Sequence, residues 1–73
     1  MIKDLKGFRL EKSREENIKP YYIFNDKQMM DLIDKMPDSK EALLKISGFG
    51  EFKVEKYGGR ILEILNPYQN IFR

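Results

Sequence analysis

The chain has 73 residues and contains neither cysteine nor histidine, which excludes disulfides, thiolate–zinc sites and imidazole acid–base chemistry. A single domain of this size buries only about 60% of the surface its unfolded chain exposes, so its core must come from Leu, Ile, Phe, Tyr and Met, within the 41% of hydrophobic residues. Fourteen Lys and Arg against twelve Asp and Glu leave a net charge of +2, so affinity for a polyanion has to come from local clustering.

No apolar run approaches the roughly 18 residues of a membrane span, and no signal-peptide pattern opens the sequence. The expectation is a soluble, cytoplasmic monomer without membrane association. Residues 3–18 carry Leu5, Phe8 and Ile18, with Ser13 as a small residue among charges. That is the spacing of an amphipathic helix, which Pro20 should end by disfavouring helical backbone at Lys19. The connector that follows places Tyr21, Tyr22, Ile23 and Phe24 in a row. Four large side chains on an irregular segment cannot all enter so small a core. Ile23 and Phe24 are expected to plug the gap between two helices, while at least one of Tyr21 and Tyr22 faces solvent.

Asn25 followed by Gln28 matches a capping box. Met29, Leu32, Ile33 and Met36 then share one face of a second helix, which Pro37 stops. Asp38 and Ser39 are both good N-cap types, and Leu43, Leu44 and Ile46 supply the buried side of a short third helix. Gly48-Phe49-Gly50 reads as a tight turn in which one glycine takes a positive φ. Residues 51–57 form a short fourth helix, broken or kinked at Gly58-Gly59. Ile61, Leu62, Ile64 and Leu65 build a fifth, fraying near Asn66-Pro67. The expected architecture is one all-α domain over residues 1–73, a small five-helix bundle with no strand alternation and no repeat.

Charge is uneven along these elements. Residues 1–19 hold six Lys/Arg and four Asp/Glu, residues 25–41 three and five, and residues 42–73 five and three. The second helix is therefore the acidic part, which a polyanion should avoid. A solvent-facing Tyr21 or Tyr22 between Lys19 and Lys27 would be a stacking platform beside two phosphate-neutralising charges, with Lys12 and Arg14 extending the patch along helix one. Base–aromatic stacking contributes about 1–3 kcal/mol per base and tolerates any sequence. The plainer reading is that a tyrosine hydroxyl caps the core edge.

A second candidate is Ile46-x-Gly48-Phe49-Gly50-x-x-Lys53, which is similar to the hairpin of helix-hairpin-helix motifs, whose backbone N–H groups approach a DNA phosphate. Gly48 and Gly50 equally suit any tight helix–helix turn with Phe49 in the core. Lys53, Lys56 and Arg60 would form one basic stripe only if the helix ran through Gly58-Gly59; otherwise they are a solvated face. The pairs Glu15-Glu16 and Asp31/Asp34 have no His, Cys or Ser arranged beside them, so no catalytic residue, no metal ligand and no cofactor is expected.

Tyr21-x-Ile23-Phe24-Asn25-Asp26, Pro37, Leu43-Leu44-x-Ile46-x-Gly48-x-Gly50-x-x-Lys53 and Glu55-Lys56-Tyr57-Gly58 together resemble the HRDC domain, the C-terminal helical module of RecQ-type helicases and of RNase D. The resemblance runs from Leu5 to about Leu65. Lys19-Pro20-Tyr21 stands where the family has Pro-Pro-Tyr, and Gly48-Phe49-Gly50 where it has Gly-Val-Gly. The resemblance implies a SAM-like orthogonal helical bundle, non-catalytic, forming a piece of a larger bacterial RecQ-type ATP-dependent DNA helicase of repair and recombination. The motor itself is absent, since no Gly-x-x-x-x-Gly-Lys-Ser/Thr loop occurs. It further implies weak, sequence-tolerant binding of single-stranded or junction DNA that helps target the parent enzyme. Two alternatives stay open: docking on the helicase core of the same chain, and an RNA-binding role beside an RNase D-type exoribonuclease. Fold transfers across such a family better than function does.

Overall fold

The computed structural model describes residues 1–69, so the last four positions of the expected domain lie outside the described residues. Four α-helices and one 3-10 turn follow in order: α1 Ile2–Glu16, the turn Pro20–Tyr22, α2 Asp26–Lys35, α3 Lys40–Leu44 and α4 Glu51–Gln69. The chain is all-helical among the described residues, with four α-helices where five are expected from the sequence.

Helix α1 buries Leu5, Phe8 and Ser13, and the Ser13 hydroxyl donates to the Leu10 carbonyl at 2.7 Å. It stops earlier than Pro20 would require. Asn17 takes the left-handed conformation at φ 56°, which asparagine tolerates at a helix end, and the Ile18 N–H closes back on the Ser13 carbonyl at 2.9 Å. Ile18 is thereby carried out of the helical stripe and is 38% exposed. Lys19 then adopts the extended backbone that a following proline imposes. The connector is a wound 3-10 turn, with Tyr22 N–H bonded to the Lys19 carbonyl and Ile23 N–H to the Pro20 carbonyl, each at 3.0 Å. One turn is enough to split the four large side chains: Ile23 and Phe24 are fully buried, while both tyrosines point out.

The capping box of α2 is present in both directions. Gln28 N–H donates to the Asn25 side chain at 2.8 Å, and Asn25 N–H donates to the Gln28 side chain at 2.9 Å. Met36 ends α2 in a left-handed conformation at φ 45°. Ser39, not Asp38, caps α3 by accepting the Ala42 N–H. Leu43 and Ile46 enter the core, but Leu44 is on the outer side of this single turn and is 42% exposed.

Gly48 carries the positive φ of the α3–α4 turn, at 85°. Phe49 packs its ring 6.2 Å from that of Phe24, so the turn backs directly onto the aromatic connector. Helix α4 then runs without a break through Gly58-Gly59, contrary to the expected interruption. Two mid-helix glycines cost about 1–2 kcal/mol together. Burial of Val54, Tyr57, Ile61 and Leu65 on one face contributes about 1.5–3 kcal/mol for each large side chain, and packing wins. Gly58 also permits close approach of α3, since a Cβ there would stand 3.2 Å from Leu43 Cδ1. The helix continues past Asn66-Pro67, where fraying is expected from the sequence, because Leu65 is buried and the Tyr68 hydroxyl donates to Asp4 of α1 at 3.2 Å.

Gly59 has open space where a Cβ would stand and lies in mid-helix. Gly59→Ala should therefore stabilise the domain by roughly 0.5–1 kcal/mol, read from urea unfolding. A loss of stability would mean that α4 is not continuous there.

Candidate nucleic-acid interface

The end of α1 and the 3-10 turn form a projecting corner. Tyr21 and Tyr22 are 54% and 57% exposed, with ring centroids 4.7 Å apart and planes inclined by 34°. The proline-started 3-10 turn and the two buried neighbours, Ile23 and Phe24, direct this pair outward. The Tyr22 hydroxyl beside it pushes the Tyr21 phenol above its ordinary value. Tyr22 lines a shallow groove with Ser13, Arg14, Asn17, Ile18 and Lys19. Tyr21 lines another with Arg9, Pro20, Asn25, Asp26 and Lys27.

The two grooves differ in charge. The first has Arg14 and Lys19 at its edge and no carboxylate in its lining. In the second, the Arg9 guanidinium donates to the Phe24 carbonyl at 3.2 Å and to Asp26 at 3.0 Å, and it lies 5.6 Å from the Phe24 ring centre. Arg9 is thus a strut between α1 and the connector, and Asp26 brings a negative charge beside Lys27. The Lys19 ammonium stands 6.0 Å over the Tyr21 ring. Arg14, Lys19 and Lys27 enter no ion pair among the described residues, whereas Lys12 is half-buried and paired with Glu15 at 3.5 Å.

The residues on the other candidate face are placed differently. Because α4 is continuous, Lys53, Lys56 and Arg60 do lie on one helix, yet each has an intramolecular partner. Lys53 stands 5.9 Å over the Phe49 ring. Lys56 donates to Glu16 at 2.8 Å, and Arg60 sits 5.5 Å from the Phe8 ring and 3.7 Å from Glu63. Gly48 packs on Gln28, and Gly50 has open space around it. The turn joins α3 to α4 and packs on α2 at Gln28.

Glu16 accepts from Lys56 and also from the Tyr57 hydroxyl, at 2.8 and 2.9 Å. The Lys56 bond, then the Tyr57 bond, hold the Glu16 carboxyl below its ordinary value, and the Glu16 bond raises the Lys56 ammonium. For Tyr57, burial is the first cause of its raised value and the Glu16 bond the second. A carboxylate whose folded value is depressed adds stability above its unfolded value, near 4.5, and loses it as pH falls through the lower folded value. The melting temperature should accordingly drop as pH falls below about 4.5, and Glu16→Gln should flatten that drop while changing little of the profile near neutral pH. Identical acid limbs in the two proteins would show that Glu16 carries none of it.

The sequence pattern singles out the tyrosines, Arg14 and the lysines. It does not reveal Asn17 and Ile18, which join the groove only because α1 ends early, nor Phe52, the most exposed large apolar side chain among the described residues at 76%. Position 52 falls two residues before inward-facing Val54, a legible sign that it points away from the buried face of the helix.

No group of three or more His, Cys, Asp or Glu able to hold a metal occurs among the described residues, and none of their helices is long and apolar enough to cross a membrane. The family model of the HRDC domain matches residues 1–65. The chain is 31% identical over 65 residues to the ATP-dependent DNA helicase UvrD2 of Mycobacterium tuberculosis, covering 89% of this chain and 9% of that protein. It is 31% identical over 67 residues to the ATP-dependent DNA helicase RecQ of Haemophilus influenzae, covering 92% and 11%. It is 34% identical over 72 residues to the ATP-dependent DNA helicase Q-like 4B of Arabidopsis thaliana, covering 96% and 6%. The chain thus spans about a tenth of the length of the curated relatives it matches.

Proposed function

This chain belongs to the HRDC domain family, and on that premise we propose that it is an accessory nucleic-acid-binding module of a RecQ-type ATP-dependent DNA helicase. Its task in this reading is weak, sequence-tolerant capture of single-stranded or junction DNA beside the motor. The observation that carries the reading is the outward Tyr21–Tyr22 pair next to a groove edged by Arg14 and Lys19 with no carboxylate in its lining. An unpaired base stacks on an exposed ring, and the two cations neutralise the phosphates on either side of it. Stacking needs a free base face, which a closed duplex does not offer, and it does not distinguish one base from another.

Arg14, Lys19, Tyr21, Tyr22 and Lys27 form the proposed contact set, with Lys12 contributing less because Glu15 already holds it. Gly48, Lys53 and Arg60 are left outside the primary site because their contacts are internal, and Gly50 because it brings no side chain to an open stretch of the turn. With so few free cations the affinity should lie toward the weak end of non-specific binding, about 10⁻⁴ M at physiological salt.

Salt dependence separates the cations from the rings. Arg14→Ala and Lys19→Ala should each lower the log–log salt slope for a single-stranded oligonucleotide by up to about 0.7 for each phosphate that is no longer neutralised. Lys35→Ala, on the acidic second helix, should leave it unchanged. Equal slopes in all the variants would remove phosphate binding from this groove.

A further inference from the structure

Phe52 is exposed beyond any need of the fold. It stands in the first turn of α4 with 76% of its surface in water, and the Lys56 ammonium lies 5.5 Å over its ring. The same pairing, an exposed ring with a lysine at about the same reach, occurs on the connector, where Lys19 is 6.0 Å over Tyr21. The two pairs lie on either side of the end of α1. Glu16, on that end, bonds Lys56 at 2.8 Å, and Asn17 and Lys19, directly after it in the chain, line the Tyr22 groove. On α4, Glu51 and Glu55 flank Phe52 and Lys56 in the chain, with Glu55 held by Lys40 at 3.8 Å; on the end of α1, the carboxylate between the two pairs is Glu16.

That carboxylate does not close the way to a phosphate. Lys56 is an ammonium with three donors, and Glu16 takes one of them in the structure. Lys56 keeps 43% of its side chain in solvent, while Glu16, at 23%, is half-buried against the Tyr57 hydroxyl. The exposed side of the ammonium leaves its other two donors free to meet a phosphate without displacing Glu16.

We propose that Phe52 and Lys56 form a second stacking and phosphate-binding platform, which takes the continuation of the same single strand that the connector holds. This rests on the nucleic-acid reading of Tyr21 and Tyr22. A strand long enough to cross the end of α1 would engage both platforms, and a short one only the first. Binding should then strengthen with strand length beyond the effect of counting equivalent positions, and Glu16 should set how strongly the second platform contributes.

The test uses the 73-residue chain and oligothymidylates of about 4 and about 15 nucleotides, near the two ends of the range that single-strand grooves cover. Phe52→Ala should bind the short strand as the parent chain does and the long strand several-fold more weakly, with an unchanged melting temperature. Glu16→Gln should bind the long strand more tightly and steepen its salt slope by up to about 0.7. Tyr22→Ala run alongside separates the two levels of the claim. If Tyr22→Ala weakens both strands and Phe52→Ala weakens neither, the second platform is overturned and the connector reading stands. If neither variant weakens either strand, the connector reading falls and the extension with it. Loss of association with the helicase body by Phe52→Ala, with strand binding intact, would assign the ring to protein docking and overturn the proposal.

Discussion

Gly48→Ala should destabilise the domain by about 2–4 kcal/mol, while Gly50→Ala stays within about 1 kcal/mol of the parent. Two separate effects add at position 48. Its φ of 85° lies where an L side chain is strained, a cost of about 1–3 kcal/mol. A Cβ there would also overlap the Gln28 side-chain amide, and that amide is half of the capping box that starts α2. Moving it aside forfeits part of a cap, worth about 1 kcal/mol. Gly50 lacks both features: nothing lies within 4 Å of a Cβ built there. A domain of this length has a total stability of about 4–11 kcal/mol, so the first substitution removes a large share of it. Urea unfolding of the two variants reads the difference directly. Equal midpoints would mean that the α3–α4 turn is not built on Gly48.

Tyr22→Ala should weaken binding of a short single strand by roughly 5- to 150-fold, the equivalent of losing one base–aromatic stack at about 1–3 kcal/mol. Tyr22 is 57% exposed and outside the buried cluster, so the melting temperature should stay where it is. Tyr21→Ala should act in the same direction. The loss there should be smaller, because Asp26 in the Tyr21 groove repels the phosphate that would accompany a base. Duplex of the same sequence should bind weakly to both the parent and the variants. Should Tyr22→Ala bind normally while remaining folded, stacking on the connector is wrong. Should it unfold, Tyr22 belongs to the core edge and the exposed ring serves packing.

Much of this is legible in the sequence, for reasons that differ by element. The Asn25/Gln28 box is a local, three-residue pattern with one geometric meaning, and it is realised as such. Volume gives burial of Ile23 and Phe24 with at least one tyrosine outside, since so small a core has no room for four large side chains in a row; that both tyrosines are exposed follows from the winding of the 3-10 turn. The positive φ falls on one of the two glycines of the turn, as its chemistry requires. Other features depend on partners distant in the chain. Gly58-Gly59 looks like a break when intrinsic propensity is taken without the packing of α3, which supports the helix from Leu43. The end of α1 at Asn17 is hidden because an asparagine inside a polar run fits a helix or its cap equally well. Leu44 is expected inside and lies outside because a one-turn helix has no periodicity to orient it.

The state of the basic stripe is the least legible part. Lys56 is paired with a glutamate 40 positions away, and nothing in the spacing of Lys53, Lys56 and Arg60 could reveal it. The structure separates cations with internal partners from those without, and this shifts weight within the proposed site toward Arg14, Lys19 and Tyr22. Tyr21 alone looks the stronger candidate from the sequence, by its place after Pro20 between two lysines.

The most direct measurement is a titration of the ¹⁵N-labelled domain with a short single-stranded DNA, followed by amide shifts. Saturable movement should be confined to residues 13–24 and the Lys27 amide, with Asp31, Asp34 and Lys35 on the acidic side of α2 unmoved. Shifts centred on α2, or none at millimolar DNA, would contradict a nucleic-acid role for the connector.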